Sequence, residues 1–271
     1  MWIFINHKTL RFAIDLTKPI LELDYPEFYD VKITNKCNWG CPYCYQDSIN
    51  TPHYEDIVWK CKQFFGNMSQ NQLPFQVALG GGNPNEHPDF VELLEYLDSL
   101  GIVPNYTTNG MWLTDDVIAA TKKYCGWVAL SCHPHLEKHW SNSANKLIDE
   151  WITVNFHHII YNEESIKEFR RIYDDFPWID YFVLLPLTAM WRQKNKINIE
   201  YEYLVDMIKD IDSTRIAFGA NFYPYLKGNN TFNISLYEPE IMSKYLDLKW
   251  NWFIYTSSFS EDPIKENIFY N

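Results

Sequence analysis

Three cysteines stand close together in the stretch Ile33-Thr-Asn-Lys-Cys37-Asn-Trp-Gly-Cys41-Pro-Tyr-Cys44-Tyr45, which begins with a short apolar, β-branched run. Their spacing is Cys-x3-Cys-x2-Cys, and it uses half of the six cysteines in the chain. Thiolates this close together are typical of one shared soft metal centre. The stretch therefore predicts a metal-binding loop at the end of a strand.

Two kinds of metal centre fit three neighbouring thiolates. A structural zinc ion requires a fourth ligand, and His53 is the only candidate nearby. An iron–sulfur cluster can instead use three thiolates and leave one iron open. We favour the cluster, with a zinc-stabilised binding protein as the alternative from a different functional class.

At these residues the chain resembles the radical SAM superfamily, whose members bind a [4Fe-4S] cluster through Cys-x3-Cys-x-aromatic-Cys. The matching residues here are Cys37, Cys41, Tyr43 and Cys44. The resemblance implies that the open iron chelates the amino and carboxylate groups of S-adenosylmethionine (SAM). It also implies reductive cleavage of SAM to a 5′-deoxyadenosyl radical, with an external one-electron reductant such as flavodoxin or ferredoxin.

A second motif extends the resemblance. The stretch Val77-Ala-Leu-Gly80-Gly81-Gly82-Asn83-Pro84 is similar to the Gly-Gly-Glu-Pro strand end that holds the methionine amine of SAM in that family. Asn83 stands where glutamate is usual, so this chain keeps a carbonyl acceptor and gives up the negative charge. The two motifs together predict a SAM site beside the cysteine loop.

Composition excludes several functional classes. With 271 residues, of which 46% are hydrophobic and 17% aromatic, the chain has ample material for a core. Its formal net charge of −12 makes a nucleic-acid partner unlikely, because such proteins concentrate Lys and Arg on one face. The N-terminus lacks the pattern of a secretory signal, and no apolar run is long enough to span a membrane. We therefore expect a cytoplasmic protein without membrane contact.

Strand-like and helix-like segments alternate six times after residue 29. Such alternation predicts parallel strands with outer helices, and six units predict a partial (β/α)6 barrel of radical SAM type. The predicted strands are Asp30–Thr34, Phe75–Leu79, Val103–Thr108, Trp127–Ser131, Ile152–Tyr161 and Tyr181–Leu185. The predicted helices are Tyr54–Met68, Asp89–Leu100, Val117–Tyr124, Leu136–Trp151 and Ser165–Phe176.

Polar residues cluster where these strands end, and parallel barrels place their chemistry at that edge. By resemblance, Ser131 and Asn155 match positions that contact the ribose and carboxylate of SAM. The backbone near Leu185 matches the position that meets the adenine. The Thr108-Asn109 turn is also common in the family. Each of these residues alone also fits a plain turn or cap.

Histidines follow the fourth predicted strand. His135 and His139 have the i, i+4 spacing of a helical zinc pair, but no acidic residue stands between them as a metalloprotease motif requires. We expect ordinary loop and surface residues here, with His133 the one most able to reach the active site.

Cys132 directly follows Ser131 and so lies near the place where a substrate radical would form. A thiol there is suited to returning a hydrogen atom, as a peptide epimerase requires. However, adjacent strand residues point to opposite sides, which would turn Cys132 toward the outer helices. Both interpretations remain open from the sequence.

The two ends of the chain predict extensions to the barrel. Residues 1–29 read as an N-terminal β-hairpin, residues 30–218 as the barrel core, and residues 219–271 as an extension that closes the barrel. Within the extension, Tyr223–Pro239 is loop-like, and an alternating aromatic run follows at residues 250–256. No cysteine follows Cys132, so we expect no auxiliary iron–sulfur domain.

The sequence as a whole predicts a compact radical SAM enzyme. The Cys-Pro-Tyr-Cys-Tyr loop and the Ser-Cys-His-Pro strand end look more like peptide- or protein-modifying members than like tRNA methylthiolases. A peptide maturase or epimerase is therefore favoured. A small-molecule or nucleotide substrate is the alternative, because a minimal barrel without accessory domains suits those as well.

Overall fold

The computed structural model describes residues 2–6, 9–13, 26–49, 56–188, 199–226, 243–247 and 253–255. The strands are β1 Trp2–Asn6, β2 Thr9–Ala13, β3 Phe28–Thr34, β4 Gln76–Gly81, β5 Val103–Thr108, β6 Val128–Ser131, β7 Val154–Ile160, β8 Tyr181–Pro186, β9 Ile216–Phe218, β10 Ser243–Asp247 and β11 Phe253–Tyr255. The α-helices are α1 Ile57–Phe64, α2 Phe90–Ser99, α3 Asp115–Tyr124, α4 Glu137–Asp149, α5 Glu163–Asp175, α6 Tyr201–Asp206 and α7 Tyr223–Leu226.

One sheet of nine strands organises the molecule, in the order β11-β10-β3-β4-β5-β6-β7-β8-β9. Eight of these strands are parallel, and only β11 runs antiparallel to its neighbour, β10. The sheet curls into a half-barrel with helices outside. The predicted partial barrel is therefore confirmed, and every one of the six predicted strands is present.

Local sequence signals set several helix boundaries. The Thr114 hydroxyl accepts from the backbone N–H of Val117 and caps α3 as expected. Asn162 and Ser165 form a capping box at the start of α5. Gly101 ends α2 with a φ of 78°, in the left-handed region that favours glycine. These caps fix where the helices begin and end, and the parallel pairing of the strands brings their carboxyl ends to one edge.

The sheet is wider than the six predicted units, and the further strand predicted over Arg215–Phe222 is present as β9. Beyond the six units, β9 extends the β8 edge, and β10 pairs in parallel with β3 at the other edge. The loop expected over Tyr223–Pro239 is wrong at its start, where α7 forms; residues 227–239 lie outside the described part. The aromatic run contributes β11, which reaches the barrel through β10. The N-terminal hairpin is confirmed as a separate two-stranded sheet, β1–β2.

The helix-facing side of the sheet carries the hydrophobic core. Large side chains buried there include Trp140 of α4, Phe156 of β7 and Phe182 of β8, which contact one another edge to face. In β7 and β8 fully buried and half-buried residues alternate strictly. The half-buried set faces the concave side, so function is to be sought there. Within the described residues, no helix has the length and apolar character needed to cross a bilayer.

Candidate active site

The cysteine loop begins where β3 ends, and backbone hydrogen bonds close it. The N–H of Cys37 donates to the carbonyl of Ile49 at 3.0 Å, and the N–H of Ile49 donates to the carbonyl of Asn35 at 3.1 Å. Inside the loop, the N–H of Cys44 donates to the carbonyl of Cys41 at 3.2 Å. All three cysteines are therefore held on one closed loop at the carboxyl edge of the sheet.

The three thiols differ in exposure, and all are reduced. Cys41 is buried, whereas Cys37 and Cys44 are half-buried. Burial raises the pKa of the Cys37 thiol, and the nearby Glu86 carboxylate raises it further. In the described part of the chain, no three His, Cys, Asp or Glu side chains are already gathered around one point. His53, the proposed fourth zinc ligand, lies outside the described residues.

The glycine strand end is bonded directly to the first turn of the cysteine loop. The N–H of Gly82 donates to Thr34 and that of Asn83 donates to Lys36, each at 2.8 Å. A Cβ atom on Gly81 would lie under 3.0 Å from the Thr34 carbonyl oxygen, and one on Gly82 would lie equally close to that of Lys36. Gly80 has room, since its nearest contact would be Asp30 Oδ1 at 3.7 Å. Gly81 and Gly82 thus permit the close approach of two backbone segments.

Asn83 is 1% exposed, and its side chain is fully engaged within the chain. Its Oδ1 accepts from Thr108 Oγ1 at 2.7 Å and from the N–H of Asn109 at 3.2 Å. Its Nδ2 donates to Glu86 Oε1 at 3.1 Å. The carbonyl expected to meet the methionine amine therefore already joins the ends of β4 and β5.

Glu86 belongs to this site, although no sequence motif indicates it. It lies on a 3₁₀ turn, Pro84–Glu86, directly after the glycine strand end. Its Oε2 accepts from Asn38 Nδ2 at 2.6 Å, and desolvation raises the pKa of the carboxyl. Glu86 supplies a carboxylate three residues beyond the position where the family has one. Its position beside the Gly-Gly-x-Pro motif was the available signal.

The Thr108-Asn109 turn supports the same corner of the site. Thr108 Oγ1 accepts from the N–H of Gly110 at 3.1 Å, and Asn109 Oδ1 accepts from the N–H of Met111 at 2.9 Å. Asn109 Nδ2 is directed at Cys37 Sγ at 3.8 Å. This turn therefore links β5 to the cysteine loop.

Ser131 ends β6 and Leu185 lies one residue before the end of β8, whereas Asn155, expected at a strand end, is the second residue of β7. Sheet register pairs Ser131 with His157, Asn155 with Tyr181, and Ile159 with Leu185. Asn155 Oδ1 is buried without a hydrogen-bond partner. Burial lowers the pKa of His157 to about 4, so a neutral imidazole lies beside Ser131. The Asn155 oxygen is enclosed by protein and keeps its capacity to accept a hydrogen bond.

Cys132 lies on the opposite side of the strand from this face. It is 2% exposed, and its Sγ contacts the Leu130 carbonyl at 3.5 Å. The charged groups that raise the pKa of its thiol, after burial itself, are Glu137 of α4 and Glu168 of α5. The thiol thus faces the outer helices, which disfavours the hydrogen-donor hypothesis.

The histidines gather around Tyr43. The rings of Tyr43 and His133 lie 5.1 Å apart, and His133 stacks on His135 at 5.7 Å. His135 Nε2 lies 3.5 Å from Cys41 Sγ, whereas His139 contacts only Trp39 among the rings described, at 5.8 Å. His133 reaches the site as expected, but the sequence analysis missed His135, which contacts a cysteine.

Asp30 is a second carboxyl that the sequence analysis missed. It lies on β3 with Gly80 at its side, and burial raises its pKa to about 7. The signal was its i, i+2 spacing with Lys32, which places both residues on the concave face.

The residues present fit an iron–sulfur cluster with SAM. Three thiols on one loop are the donor set that such a cluster takes, and they leave one position open. Asn155 Oδ1, near the start of β7, is a further polar acceptor that has no partner in the described part of the chain.

Comparisons with known proteins point to the same two cofactors. Residues 31–135 match the family profile of the radical SAM superfamily. The mycofactocin maturase MftC of Mycobacterium tuberculosis (strain CDC 1551 / Oshkosh) is 32% identical over 102 residues, which is 36% of this chain and 26% of the maturase. An S-adenosylmethionine-dependent nucleotide dehydratase of Selenomonas ruminantium is 29% identical over 82 residues, 30% of this chain and 29% of the dehydratase.

A solved structure shows the same fold. The SAM-bound SuiB of Streptococcus suis aligns with a TM-score of 0.66 over 86% of this chain and 60% of SuiB, at 15% identity. The fold and the two motifs together define a radical SAM core. Residues 31–135 match the radical SAM superfamily, and the cofactors that this match implies are a [4Fe-4S] cluster and SAM. The match spans only about a quarter of the curated maturase.

Proposed function

We propose that this protein is a radical SAM enzyme in which Cys37, Cys41 and Cys44 hold the cluster. The observation that carries the proposal is the junction of the two motifs, where the glycine strand end donates two backbone hydrogen bonds to the start of the cysteine loop. When bound, the cluster and SAM supply a 5′-deoxyadenosyl radical that abstracts hydrogen from a substrate.

Some residues of the site contact SAM, and others hold the strand ends in place. We propose that SAM lies over Gly80–Gly82 and reaches Ser131, Asn155 and the backbone at Leu185. The cofactor supplies the hydrogen-bond donor that Asn155 Oδ1 lacks in the described part of the chain. Asn83, Thr108 and Asn109 hold the strand ends in register through their mutual hydrogen bonds. Tyr43 packs against His133 and orders the loop between the cysteines.

Glu86 supplies the negative charge that Asn83 does not. A carboxylate attracts the methionine ammonium more strongly than an amide does. Glu86 is fixed by Asn38 of the cysteine loop and by Asn83, so its position is set on both sides. We assign it the electrostatic part of the role that the family's glutamate plays.

A peptide or protein is the favoured substrate class, for maturation or epimerisation. The support is the MftC resemblance in the motif region and the cysteine loop itself. The nucleotide dehydratase of Selenomonas ruminantium supports the alternative, a small molecule or nucleotide. Either substrate would meet a concave face that carries the Asp30 carboxyl and the neutral His157.

An external one-electron donor of the flavodoxin or ferredoxin type completes the proposal, which places the enzyme in the cytoplasm. Three thiolates and an open iron need a reducing compartment, since oxidised thiols cannot bind the cluster.

Anaerobic purification tests the core of the proposal. We expect a brown protein that contains iron and sulfide and that forms 5′-deoxyadenosine from SAM with dithionite. A colourless protein with stoichiometric zinc would contradict the proposal and support the zinc-stabilised alternative.

Substrate class is tested next, in the same assay. Short peptides encoded beside the gene are compared with nucleoside triphosphates, and the added compound that stimulates 5′-deoxyadenosine formation identifies the class. Stimulation by nucleotides alone would overturn the peptide preference.

A further inference from the structure

Each of the three cysteine sulfurs lies beside a different nitrogen atom, and the nitrogen of His135 donates in the tautomer that carries its proton on Nε2. The backbone N–H of Ser48 donates to Cys44 Sγ at 3.4 Å. Asn109 Nδ2 points at Cys37 Sγ at 3.8 Å, and His135 Nε2 lies 3.5 Å from Cys41 Sγ. The donors come from the loop itself, from the end of β5 and from the segment after β6. No motif of the family names Asn109 or His135 as such a donor here.

We propose that Asn109 and His135 are positioning residues that set the reduction potential of the cluster by donating hydrogen bonds to Cys37 and Cys41. This inference rests on the proposed function, because it requires the three cysteines to be the cluster ligands. It assigns to the two side chains a role distinct from binding SAM.

The physical reason is the charge that reduction adds. One electron enters from an external one-electron reductant, no bond is made or broken, and the ligand sulfurs become more negative. An N–H dipole directed at a thiolate sulfur stabilises that added charge, so it favours the reduced form. Glu86 acts in the opposite direction at Cys37, because its carboxylate repels negative charge there.

Both donors are held in place by other contacts. Asn109 uses its Oδ1 to accept from Met111 N–H at 2.9 Å, which leaves its Nδ2 as the end that faces Cys37. The His135 ring stacks on His133 at an interplanar angle of 9°, and Trp39 and Tyr43 contact its other sides at 6.2 Å each. A donor fixed in this way loses little entropy when it bonds to sulfur.

The experiment is an anaerobic potentiometric titration of the reconstituted protein, followed by electron paramagnetic resonance of the reduced cluster. His135→Phe keeps an aromatic ring in the stack but removes the N–H. His135→Gln removes the ring but keeps an N–H donor. His139→Phe is the matched control, because His139 shares the contact with Trp39 and touches no cysteine. Asn109→Asp removes the donor at Cys37 and keeps the acceptor for Met111.

We expect the reduced fraction at a fixed potential to fall about tenfold in His135→Phe, and further in Asn109→Asp, where a negative charge replaces the donor. His135→Gln and His139→Phe should stay close to wild type. If His135→Phe assembles no cluster and His135→Gln does, that result also supports the inference, because the two variants differ in the N–H donor beside Cys41.

An unchanged midpoint potential in His135→Phe and Asn109→Asp, with full iron and sulfide content, would overturn the inference and leave the proposed function intact. A wild-type protein that binds no cluster would instead overturn the proposed function and the inference with it. The two failures are therefore distinguished before any variant is measured.

Discussion

The two halves of the strand edge are built differently. At the ends of β3, β4 and β5, which we call the cysteine side, Asn83 is bonded to Thr108, Asn109 and Glu86. On the strands β6, β7 and β8, which we call the open side, Asn155 Oδ1 is buried without a partner near the start of β7. Asn85 Oδ1, in the turn after β4, also has no partner, so the contrast concerns Asn83 and Asn155 and not every polar group of the two sides. Buried polar groups in native proteins are nearly always bonded, so Asn155 keeps an acceptor for a ligand whereas the Asn83 oxygen is already bonded twice.

This difference predicts which replacements reduce stability and which reduce binding. A change to the bonded polar side chain Asn83 on the cysteine side should cost stability before it costs binding, because its hydrogen bonds hold the ends of β4 and β5 in register. A change on the open side should cost binding and leave stability alone.

Replacement of Cys37, Cys41 or Cys44 by Ala should abolish cluster assembly and 5′-deoxyadenosine formation. The barrel core does not depend on the metal, so far-ultraviolet circular dichroism should stay that of wild type. Iron and sulfide analysis after anaerobic reconstitution is the measurement. Normal SAM cleavage in any one variant would show that its cysteine is not a ligand.

Gly82→Ala should break the junction between the two motifs. The added Cβ would lie under 3.0 Å from the Lys36 carbonyl oxygen, and backbone must move to make room. We expect the free energy of unfolding to fall by about 3 kcal/mol, at the upper end of overpacking costs. Urea denaturation measures it.

Gly40→Ala is the matched control, because Gly40 lies in the cysteine loop and a Cβ there would meet nothing within 4 Å. Equal stability losses in the two variants would show that the close approach at Gly82 is not what holds the junction.

His87 should make the cysteine side sensitive to acid. Its side chain is 1% exposed, its Nδ1 accepts from the N–H of Asp89 at 3.2 Å, and burial lowers its pKa from 6.5 to about 4. The unfolded chain therefore binds a proton between about pH 6.5 and pH 4 that the folded chain does not, so stability is lost as the pH falls through this window.

The loss from His87 between about pH 7.5 and pH 5 should be about 2 kcal/mol. It is read from urea midpoints at the two pH values. Glutamine does not titrate, so in His87→Gln the free energy of unfolding should fall by about 2 kcal/mol less between the two pH values than it does in the wild type. A pH dependence identical to that of wild type would assign acid sensitivity to other groups.

Asn155→Ala tests the open side. The variant removes an oxygen that has no partner within the chain, so the free energy of unfolding should not fall. Affinity for SAM should drop about tenfold, or ~1.4 kcal/mol, the size of one hydrogen bond to a charged or polar ligand group. Isothermal titration calorimetry with the reconstituted protein measures it.

Asn83→Ala is the comparison for Asn155→Ala. It strips Thr108 Oγ1 and the Asn109 N–H of their acceptor, so we expect a stability loss of about 1–3 kcal/mol. If Asn83→Ala weakened SAM binding without any loss of stability, the distinction between the two sides would be wrong.

The sequence predicted more about the fold than about the site. Alternation and capping residues such as Thr114 and Asn162 located all six strands of the core, because local signals and the period of the pattern agree there. The edge strand β10 was missed. Its pairing with β3 joins segments some two hundred residues apart, and no local sequence pattern predicts which strand β10 will pair with.

At the site, motifs identified the cysteines and the glycine strand end but not what surrounds them. Glu86 and His135 acquire their roles only from contacts with Asn38 and Cys41, across distances in sequence that no spacing rule covers. Asn83 was expected to meet the cofactor, yet its contacts lie within the chain. A motif predicts which residues lie near the site, but only the observed hydrogen bonds show which atoms each residue contacts.

Cys132→Ala should have the smallest effect on chemistry. Cys132 follows Ser131, whose partner in the sheet is His157 on the concave side, so strand alternation turns the thiol to the helix side. Its burial beside Glu137 and Glu168 agrees. We expect a stability loss of about 1 kcal/mol from the vacated space and unchanged turnover. If substrate and product are known, deuterated water is the sharper probe: deuterium incorporation that disappears in Cys132→Ala would restore the thiol as hydrogen donor and show that the strand turns over at His133.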